Sequence, residues 1–426
     1  MKNQNPSQKI AVIGLGYVGL PLALALAKHF PVIGFDVSSA RITALGVFED
    51  ATNEVEPDEL RETSMIFSDQ VDDIMACDTF IVTVPTPVDD DNTPNLGAVL
   101  SACQTVGSVM KPGAVVVFES TVYPGVTEDV CGPALAAASG LVCGEDFYLG
   151  YSPERVNPGD REHTIERITK VVAGQNPVVT KKLLDMYGAV TSGNVFEAKD
   201  IKTAEAAKVI ENAQRDINIA FINEISMIFN KAGISTKDVL EAANTKWNFL
   251  NFTPGLVGGH CIGVDPFYLA HLSRELGHDP EIILAGRRIN DGMASFITKS
   301  ICSNFDEGPK HILVLGLTFK ENVPDLRNSK VADLISCLQN AGHRISVHDA
   351  FADKDEAKAE YGIELLSDLG LDQAADCVVG AVGHEIYRAF DAATLSALVT
   401  PNGVVADLKG IWSDIELGSG LKRWNL

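Results

Sequence analysis

The stretch that most restricts the fold runs from residue 9 to residue 36, KIAVIGLGYVGLPLALALAKHFPVIGFD. An apolar run that predicts a buried strand is followed by Gly14, Gly16 and Gly19, then by a helical pattern, and a second strand pattern ends at Asp36. In this setting a GxGxxG triplet is typical of dinucleotide-binding turns, because it lets pyrophosphate approach backbone N–H groups at a helix N-terminus. The alternative is a glycine-rich turn without a ligand. We therefore predict a Rossmann-type parallel sheet.

The acid that ends the second strand pattern indicates which dinucleotide to expect. Asp36 can accept hydrogen bonds from both hydroxyls of a ribose and would repel a 2′-phosphate, which favours NAD over NADP. Arg41 lies five residues further on and weakens that preference, because a guanidinium pairs well with phosphate. We expect NAD as the cofactor.

Strand and helix patterns alternate through the first half of the chain. The strand patterns are TFIVTVPTP, AVVVFEST and DFYLGYSPE, with helices expected near residues 97–110 and 126–139. This alternation is typical of a doubly wound parallel sheet. From about residue 200 the pattern changes to one long helix without proline, closed by Gly233. Apolar positions nearly encircle that helix, so we expect it to be buried between domains or between subunits, and we predict a homodimer around it.

The opening pattern returns after residue 310. HILVLGLTFK resembles KIAVIGLGYVGL, HRISVHD resembles FPVIGFD and ADCVVGAV resembles CDTFIVTV, in the same order. The repeat keeps only Gly316 of the triplet, so it should bind something other than a dinucleotide, or nothing. The expected fold class is therefore α/β, with two Rossmann-like doubly wound parallel-sheet domains joined by a central helical domain. The predicted boundaries are 1–200, 201–300 and 301–426.

Charge and composition exclude several classes of partner. The 426 residues are too many for one hydrophobic core, and they carry a formal net charge of -23. A field of that sign repels phosphates, so we expect no nucleic acid and no membrane as partner, and an anionic substrate needs a local basic cluster. The polar N-terminus and the short apolar run at residues 19–27 predict neither an export signal nor a membrane span. We expect a cytoplasmic protein.

Cys261, in GGHCIGVDP, differs in its setting from the other seven cysteines. The eight are scattered without a CxxC pair or a zinc-type spacing, which predicts free thiols and no metal site. The setting of Cys261 allows three interpretations: a small core residue, a metal ligand and a nucleophile. HCIGVD offers too few ligands for a metal. Gly255, Gly258, Gly259 and Gly263 leave the backbone open to a ligand, and a thiol there suits attack on a carbonyl.

Polar residues on the long helix form a stripe. Lys208, Asn212 and Arg215 fall at i, i+4 and i+7 and share one face. They either form a solvated face or line a cleft, and the apolar residues elsewhere on the helix favour the cleft.

Two further segments carry candidate residues. Glu154, in SPERVNPG, follows the last strand pattern of the first sheet, at the edge where open α/β sheets bind ligands, and is a candidate base. FKENVPDLRNSK offers Lys320, Arg327 and Lys330 around a helix start, where a phosphate could bind. A surface ion pair is the alternative for each.

The motifs in this order resemble those of the UDP-sugar 6-dehydrogenases. The resemblance rests on KIAVIGLGYVGLPLA, VPTP, ESTVYPG, EAAKVIEN, GGHCIGVDP and GLTFKENVPDLRNS and covers the whole chain. It implies an NAD-dependent, four-electron oxidation of the C6 hydroxymethyl of a nucleotide sugar to a carboxylate, through a thioester on a cysteine.

The resemblance also assigns roles to matching residues. It makes Cys261 the nucleophile and Glu154 the general base for hydrolysis. Lys208 and Asn212 would stabilise the alkoxide, and Lys208 would also shuttle protons. Thr121 and Asp265 would position the water. The residues expected to contact NAD are Gly14, Gly16, Tyr17, Val18, Gly19, Asp36, Arg41, Thr86, Thr121 and Arg327. The residues expected to contact the substrate are Glu154, Arg155, Val156, Asn157, Lys208, Asn212, Arg215, Gly255, Gly258 and Lys320.

One departure from the family pattern indicates the substrate. YSPERVNPG differs from the PEFLxEG of UDP-glucose enzymes, with Pro158 in place of the second glutamate. With GGHCIGVDP it resembles the branch that acts on a UDP-N-acetylhexosamine, UDP-GlcNAc or UDP-GalNAc, and that supplies surface polysaccharides such as capsule or O-antigen. UDP-glucose and UDP-N-acetylmannosamine are the alternatives. A β-hydroxyacid dehydrogenase, which needs no thiol, and a non-catalytic nucleotide-sugar sensor are more remote.

Overall fold

The computed structural model describes residues 8–89, 91–156, 164–259, 262–369 and 373–426. The chain divides into two compact units, Met1–Asn212 with Phe267–Asp279, and Ala213–Pro266 with Pro280–Leu426. None of the helices in the described ranges combines the length and the apolar character needed to cross a membrane. The predicted three-domain boundaries stay a prediction.

The first unit is built on one twisted sheet. Its described strands are β1 (Ile10–Ile13), β2 (Val32–Phe35), β3 (Ile66–Ser68), β4 (Thr79–Val82), β5 (Val115–Phe118), β6 (Tyr148–Tyr151), β7 (Lys170–Gly174) and β8 (Val195–Glu197). They lie in the order β3-β2-β1-β4-β5-β6-β7-β8. Ile13 is in register with Phe35 on one side and Val82 on the other, so the three strands end together at a carboxyl edge. That edge lies at the reversal of strand order, where such sheets bind ligands.

The end of this sheet differs from the predicted all-parallel arrangement. β7 pairs antiparallel with β6 through Gly150 and Gly174, and β8 then runs parallel to β7. Neither strand was predicted from the sequence. The fold class is nevertheless confirmed, because β1 to β6 pair in parallel as expected.

Helices cover both faces of the first sheet. They are α1 (Gly19–Ala27), α2 (Ser39–Gly46), α3 (Pro57–Glu62), a 3₁₀ helix (Val71–Ala76), α4 (Gly97–Val109), a π-helical segment (Val126–Cys131) that continues as α5 (Gly132–Ser139), and α6 (Pro177–Val190). Ala11 and Ile13 pack into one apolar cluster, whereas Ile10 and Val12 pack into the other. Because alternate residues of a strand point to opposite faces, the sheet is buried on both sides.

The predicted long helix is confirmed as α7 (Ile201–Ala232), 32 residues that end before Gly233. It is followed by α8 (Thr236–Asn244), α9 (Asp265–Glu275) and α10 (Glu281–Cys302). Burial of α7 between domains or between subunits is the expectation from the sequence, and in the single chain one face of the helix is open, because Ile210, Phe221 and Ile228 are each more than half exposed. Burial of this face between subunits stays a prediction.

The second sheet confirms the repeat seen in the sequence. Its described strands are β9 (His311–Leu315), β10 (Arg344–His348), β11 (Ala375–Gly380), β12 (Val399–Asp407) and β13 (Lys422–Asn425), in the order β10-β9-β11-β12-β13 and all parallel. The accompanying helices are α11 (Lys330–Asn340), α12 (Lys354–Tyr361), α13 (Glu385–Arg388) and α14 (Ala392–Leu398). The order β10-β9-β11 reproduces β2-β1-β4, as the matching sequence segments predict.

Candidate active site

The turn between β1 and α1 has the geometry that a dinucleotide needs. Gly14 has φ +95°, a left-handed conformation that favours glycine. A Cβ on Gly19 would lie 1.8 Å from the carbonyl oxygen of Gly14, so the helix and the turn leave no room for a side chain. A Cβ on Gly16 would meet no atom within 4 Å. Val18, at the start of α1, gives the helix no side-chain cap. The open space and the uncapped helix start fit a pyrophosphate.

Asp36 and Arg41 lie beside that turn. The Asp36 carboxylate accepts hydrogen bonds from the N–H groups of Leu15 (2.8 Å) and Ser38 (2.9 Å). The Arg41 guanidinium donates to the Leu15 carbonyl (2.9 Å) and pairs with Asp50 at 2.7 Å, while its buried Nη1 has no hydrogen-bond partner among the described residues. Because Asp50 already neutralises Arg41, the guanidinium is less suited to a 2′-phosphate. The arrangement therefore fits NAD.

The loops after β4 and β5 are tied together at the same edge of the sheet. The Thr86 hydroxyl donates to the carbonyl of Thr121 at 2.7 Å, and the Ser120 hydroxyl bonds to the carbonyl of Val84. The Tyr268 hydroxyl, on α9, donates to the carbonyl of Thr86 at 2.9 Å. The structure thus brings Thr86 and Thr121 together, as expected for two residues assigned to one end of the cofactor.

Glu154 is held by a set of donors that favour its charged form. One carboxylate oxygen accepts hydrogen bonds from the N–H groups of Arg155 and Val156, each at 2.6 Å, and the other lies 3.4 Å from the Lys170 Nζ. Burial alone would raise the pKa of Glu154. The Lys170 ammonium, the two N–H groups and the Lys208 ammonium outweigh it and lower that pKa below its ordinary value. Glu154 is therefore ionised at neutral pH.

Lys208 and Asn212 lie one turn apart on α7, and both are buried. A buried amine and amide at this spacing can act together on one developing oxyanion. Arg215, three residues further along the helix, is half-buried. The Arg155 side chain is engaged, because its guanidinium pairs with Glu211 at 2.8 Å and donates to the Thr169 carbonyl.

The second unit contains a cleft at the carboxyl edge of its sheet. Gly258, Phe319, Glu321, Lys330 and Lys409 are among the residues that line it. Lys330 was predicted from the sequence as part of a phosphate site, whereas Lys409 and Glu321, which form an ion pair of 3.4 Å, were missed. Their signal in the sequence is weak, since each is one charged residue in a loop.

Other predicted residues of the second unit have structural partners. The Gly255 N–H donates to the Asn223 side chain at 2.8 Å. Arg327 donates through Nε to Asp325 at 2.9 Å, which is the ion pair given above as the alternative. Asp265 is buried at the start of α9, and Lys320 is half-buried. Cys261 and Asn157 lie outside the described residues. The roles assigned to all of these stay predictions.

In the second sheet, the residues that correspond to Asp36 and Gly14 are in contact with other parts of the protein. Asp349, the counterpart of Asp36, is buried and accepts hydrogen bonds from the N–H groups of Leu317 and Thr318 and from the His384 Nε2 at 3.1 Å. A Cβ on Gly316 would lie 2.4 Å from the Cβ of Val382. The protein itself occupies these groups, and that this sheet binds something other than a dinucleotide, or nothing, stays a prediction.

Comparisons with known proteins cover nearly the whole chain. The UDP-glucose/GDP-mannose dehydrogenase family matches through its NAD binding domain at residues 8–191, its central domain at 202–292 and its UDP binding domain at 313–414. The chain is 49% identical to Protein CapL of Staphylococcus aureus, over 99% of this chain and 100% of that protein. It is 46% identical to UDP-N-acetyl-D-glucosamine 6-dehydrogenase of Pseudomonas aeruginosa, over 94% of this chain and 96% of that protein.

A solved structure agrees with these matches. The fold is similar to that of the UDP-D-ManNAc dehydrogenase from Pyrococcus horikoshii, with a TM-score of 0.87 and 28% identity, over 98% of this chain and 99% of that one. The dinucleotide turn described above lies in the region that matches the NAD binding domain, and Lys330 and Lys409 of the cleft lie in the region that matches the UDP binding domain. The protein therefore belongs to the UDP-glucose/GDP-mannose dehydrogenase family and is an NAD-dependent UDP-sugar 6-dehydrogenase.

Proposed function

We propose that the enzyme oxidises the C6 hydroxymethyl group of a UDP-N-acetylhexosamine, UDP-GlcNAc or UDP-GalNAc, to the carboxylate. Two observations support this substrate class. The chain is 46% identical to an enzyme named for UDP-N-acetyl-D-glucosamine, compared with 31% for one named for UDP-N-acetyl-D-mannosamine. The loop SPERVNPG also lacks the second glutamate of UDP-glucose enzymes. UDP-glucose and UDP-N-acetylmannosamine are the alternatives that the assay below separates.

The observation that carries the chemistry is the grouping of Glu154, Lys208 and Asn212 in the first unit. It combines a carboxylate held in its charged form with a nearby ammonium and a buried amide. A base of this kind can activate water, and an ammonium beside an amide can stabilise an alkoxide. Bound NAD⁺ supplies the hydride acceptor for both two-electron oxidations. The residues proposed to hold it are those of the β1–α1 turn with Asp36, Arg41, Thr86 and Thr121, and Arg327.

In the proposed mechanism Cys261 is the nucleophile. Its thiolate adds to the C6 aldehyde, because an aldehyde is a poor hydride donor until a nucleophile has added to it. Lys208 and Asn212 stabilise the resulting alkoxide of the thiohemiacetal, and loss of the C6 hydride from that alkoxide to the NAD⁺ named above would leave the thioester. Glu154 then takes a proton from the water that attacks the thioester, with Thr121 and Asp265 positioning that water, and the thiol leaves as the acid is released.

We also propose the cellular setting that the sequence suggests. The enzyme acts in the cytoplasm as a homodimer formed through α7, and its uronic acid product serves surface polysaccharide synthesis. The seven described cysteines are free, which fits a reducing compartment.

One assay tests both substrate and chemistry. The enzyme is given NAD⁺ with UDP-glucose, UDP-GlcNAc, UDP-GalNAc or UDP-N-acetylmannosamine, and NADH is measured per sugar consumed. We expect two NADH per sugar with UDP-GlcNAc or UDP-GalNAc. Best turnover of UDP-glucose or UDP-N-acetylmannosamine would overturn the substrate proposal, and absence of turnover with all four sugars would favour a sensor.

The variant Cys261→Ser tests the nucleophile. We expect steady-state turnover to fall by several orders of magnitude, because the thioester can no longer form. Cys337→Ser, a half-buried cysteine on α11, is the matched control and should keep wild-type turnover. If Cys261→Ser still releases two NADH per sugar at the normal rate, the role assigned to the thiol is wrong.

A further inference from the structure

A buried charge cluster lies behind the proposed general base. Lys170 is the first residue of β7, and its ammonium pairs with the carboxylate of Glu119, which directly follows β5. The same ammonium lies 3.4 Å from Glu154 and donates to the carbonyl of Pro153 at 3.2 Å. The Tyr187 hydroxyl, on α6, donates to the other oxygen of Glu119 at 2.6 Å. One lysine thus connects two carboxylates that come from different parts of the sheet.

The exposure of these side chains separates their possible roles. The side chains of Lys170 and Glu119 have 0% exposure, whereas that of Glu154 keeps 13%. Glu154 is therefore the member of the cluster that water and substrate can reach. Lys170 and Glu119 can influence the reaction only through Glu154.

Stability alone does not account for such a cluster. Removing an ammonium and two carboxylates from water is costly, and apolar side chains of similar volume are often at least as stabilising in such a place. The strand around Lys170 is otherwise apolar, since the next three residues are Val171, Val172 and Ala173, all buried. A lysine at this position therefore suggests a role in the reaction.

We propose that Lys170 is a positioning residue for Glu154, which it keeps charged and oriented, and that Glu119 and Tyr187 hold Lys170 in place. The proposal rests on the proposed role of Glu154 as the general base of thioester hydrolysis. The N–H groups of Arg155 and Val156 hold one oxygen of that carboxylate, and Lys170 lies against the other. Both oxygens are therefore fixed before substrate binds, which spares the base a reorientation during the reaction.

In the part of the chain that the structure describes, charged or titratable groups on several elements lie around Glu154. Lys170 on β7 and Lys208 on α7 favour its charged form, and Glu119 opposes it, while Tyr187 on α6 bonds to Glu119. Burial raises the pKa of Glu119 to about 7, the Lys170 charge opposes that rise and the Glu154 charge adds to it. In the acid range Glu119 is then largely neutral, and the Lys170 charge acts mainly on Glu154.

The test is the pH dependence of hydrolysis in Lys170→Met. Loss of the ammonium removes a stabilising charge from ionised Glu154, so Glu154 should take up its proton at a higher pH. We expect the acid limb of the steady-state rate to move up by about one to three pH units, a tenfold or larger loss of rate on that limb. KM for the UDP-sugar should change little, because Lys170 does not reach the substrate. Lys170→Arg keeps the charge and should restore the limb towards its wild-type position.

Controls separate this effect from misfolding. Lys182→Met makes the same change on α6, in a partly exposed ion pair between Lys182 and Asp78, and should leave the profile unaltered. The rapid NADH burst before hydrolysis reports an intact active site, so a variant that retains the burst is folded. If Lys170→Met does not fold, Lys170→Gln removes the charge while keeping a polar group and takes its place.

Two results distinguish the possible failures. If Glu154→Gln hydrolyses the thioester at the wild-type rate, the proposed role of Glu154 is wrong, and the inference falls with it. If Glu154→Gln loses hydrolysis but an uncharged residue at position 170 keeps both the burst and the wild-type acid limb, the inference alone is overturned.

Discussion

The three glycines of the turn between β1 and α1 have different structural roles. Gly14 provides a left-handed conformation, Gly19 a close contact between helix and turn, and Gly16 an open space at the surface. The sequence motif alone does not distinguish these roles. The structure separates a glycine required by the fold from one required by the ligand.

Gly16→Ala and Gly19→Ala should therefore affect different properties, the first the binding of NAD⁺ and the second the stability of the fold. Gly16→Ala should keep the wild-type unfolding temperature but raise KM for NAD⁺ about tenfold or more, because the methyl group occupies space that the pyrophosphate needs. Gly19→Ala should lower the unfolding temperature by several degrees, because its Cβ would lie 1.8 Å from the Gly14 oxygen. Thermal unfolding and NAD⁺ titration measure both.

A glycine in open space gives the matched control for this pair. A Cβ on Gly292, within α10, would meet no atom within 4 Å, so Gly292→Ala should leave cofactor binding unchanged and stabilise slightly. Wild-type NAD⁺ binding by Gly16→Ala would show that the pyrophosphate does not lie on this turn.

Between elements, one buried carboxylate connects α7 to the turn that follows β5. Glu205, on α7, accepts hydrogen bonds from the N–H groups of Gly125 (2.6 Å) and Thr127 (2.9 Å) at the start of the π-helical segment. Lys208 lies one turn further along α7, and Thr121 lies just before the segment. The contact thus connects the helix that bears the proposed oxyanion donors with the loop that bears Thr121.

This contact should make stability depend on pH. Burial raises the pKa of Glu205 to about 7, although the bonds from Thr127 and Gly125 oppose the rise. In the unfolded chain a glutamate has a pKa of about 4.3. An acid with a raised folded pKa contributes stability that is fully present below the unfolded pKa and is lost as the pH rises through the folded pKa. The unfolding temperature of the wild type, relative to Glu205→Gln, should therefore fall between about pH 5 and pH 7.5.

Scanning fluorimetry at a series of pH values measures this difference. Glu224→Gln removes an exposed glutamate from the same helix and serves as the control for charge. The prediction would be contradicted if the unfolding temperatures of the wild type and of Glu205→Gln differed by the same amount at every pH in that range.

At the scale of the whole molecule, the outer face of α7 exposes large apolar side chains to solvent. Ile210, Phe221 and Ile228 lie at i, i+11 and i+18, and in the single chain their exposures are 53%, 56% and 52%. These spacings place the three side chains on one stripe of the helix. A stripe of large apolar side chains in water marks an interaction surface, and the predicted homodimer would cover it.

Light scattering after gel filtration tests that assembly. The wild type should elute with twice the mass of one chain, and Phe221→Asp should elute as a monomer, because a dimer would bury the new charge without a partner. Val178→Asp places the same charge on α6, at a residue of 79% exposure, and should remain dimeric. A monomeric wild type at micromolar concentration would contradict the prediction.

Much of the architecture follows from local patterns in the chain. The parallel strands of both sheets, the long helix and the glycine turn after β1 were predicted correctly, because strand period, helix period and turn glycines are properties of neighbouring residues. The antiparallel strand β7 was not, since strand direction depends on what packs nearby, and the sequence left open whether α7 is buried between domains or between subunits. The Lys170 cluster is the extreme case. It joins residues 119, 154, 170 and 187, which are distant in sequence, and only the folded sheet decides that one buried ammonium meets two carboxylates.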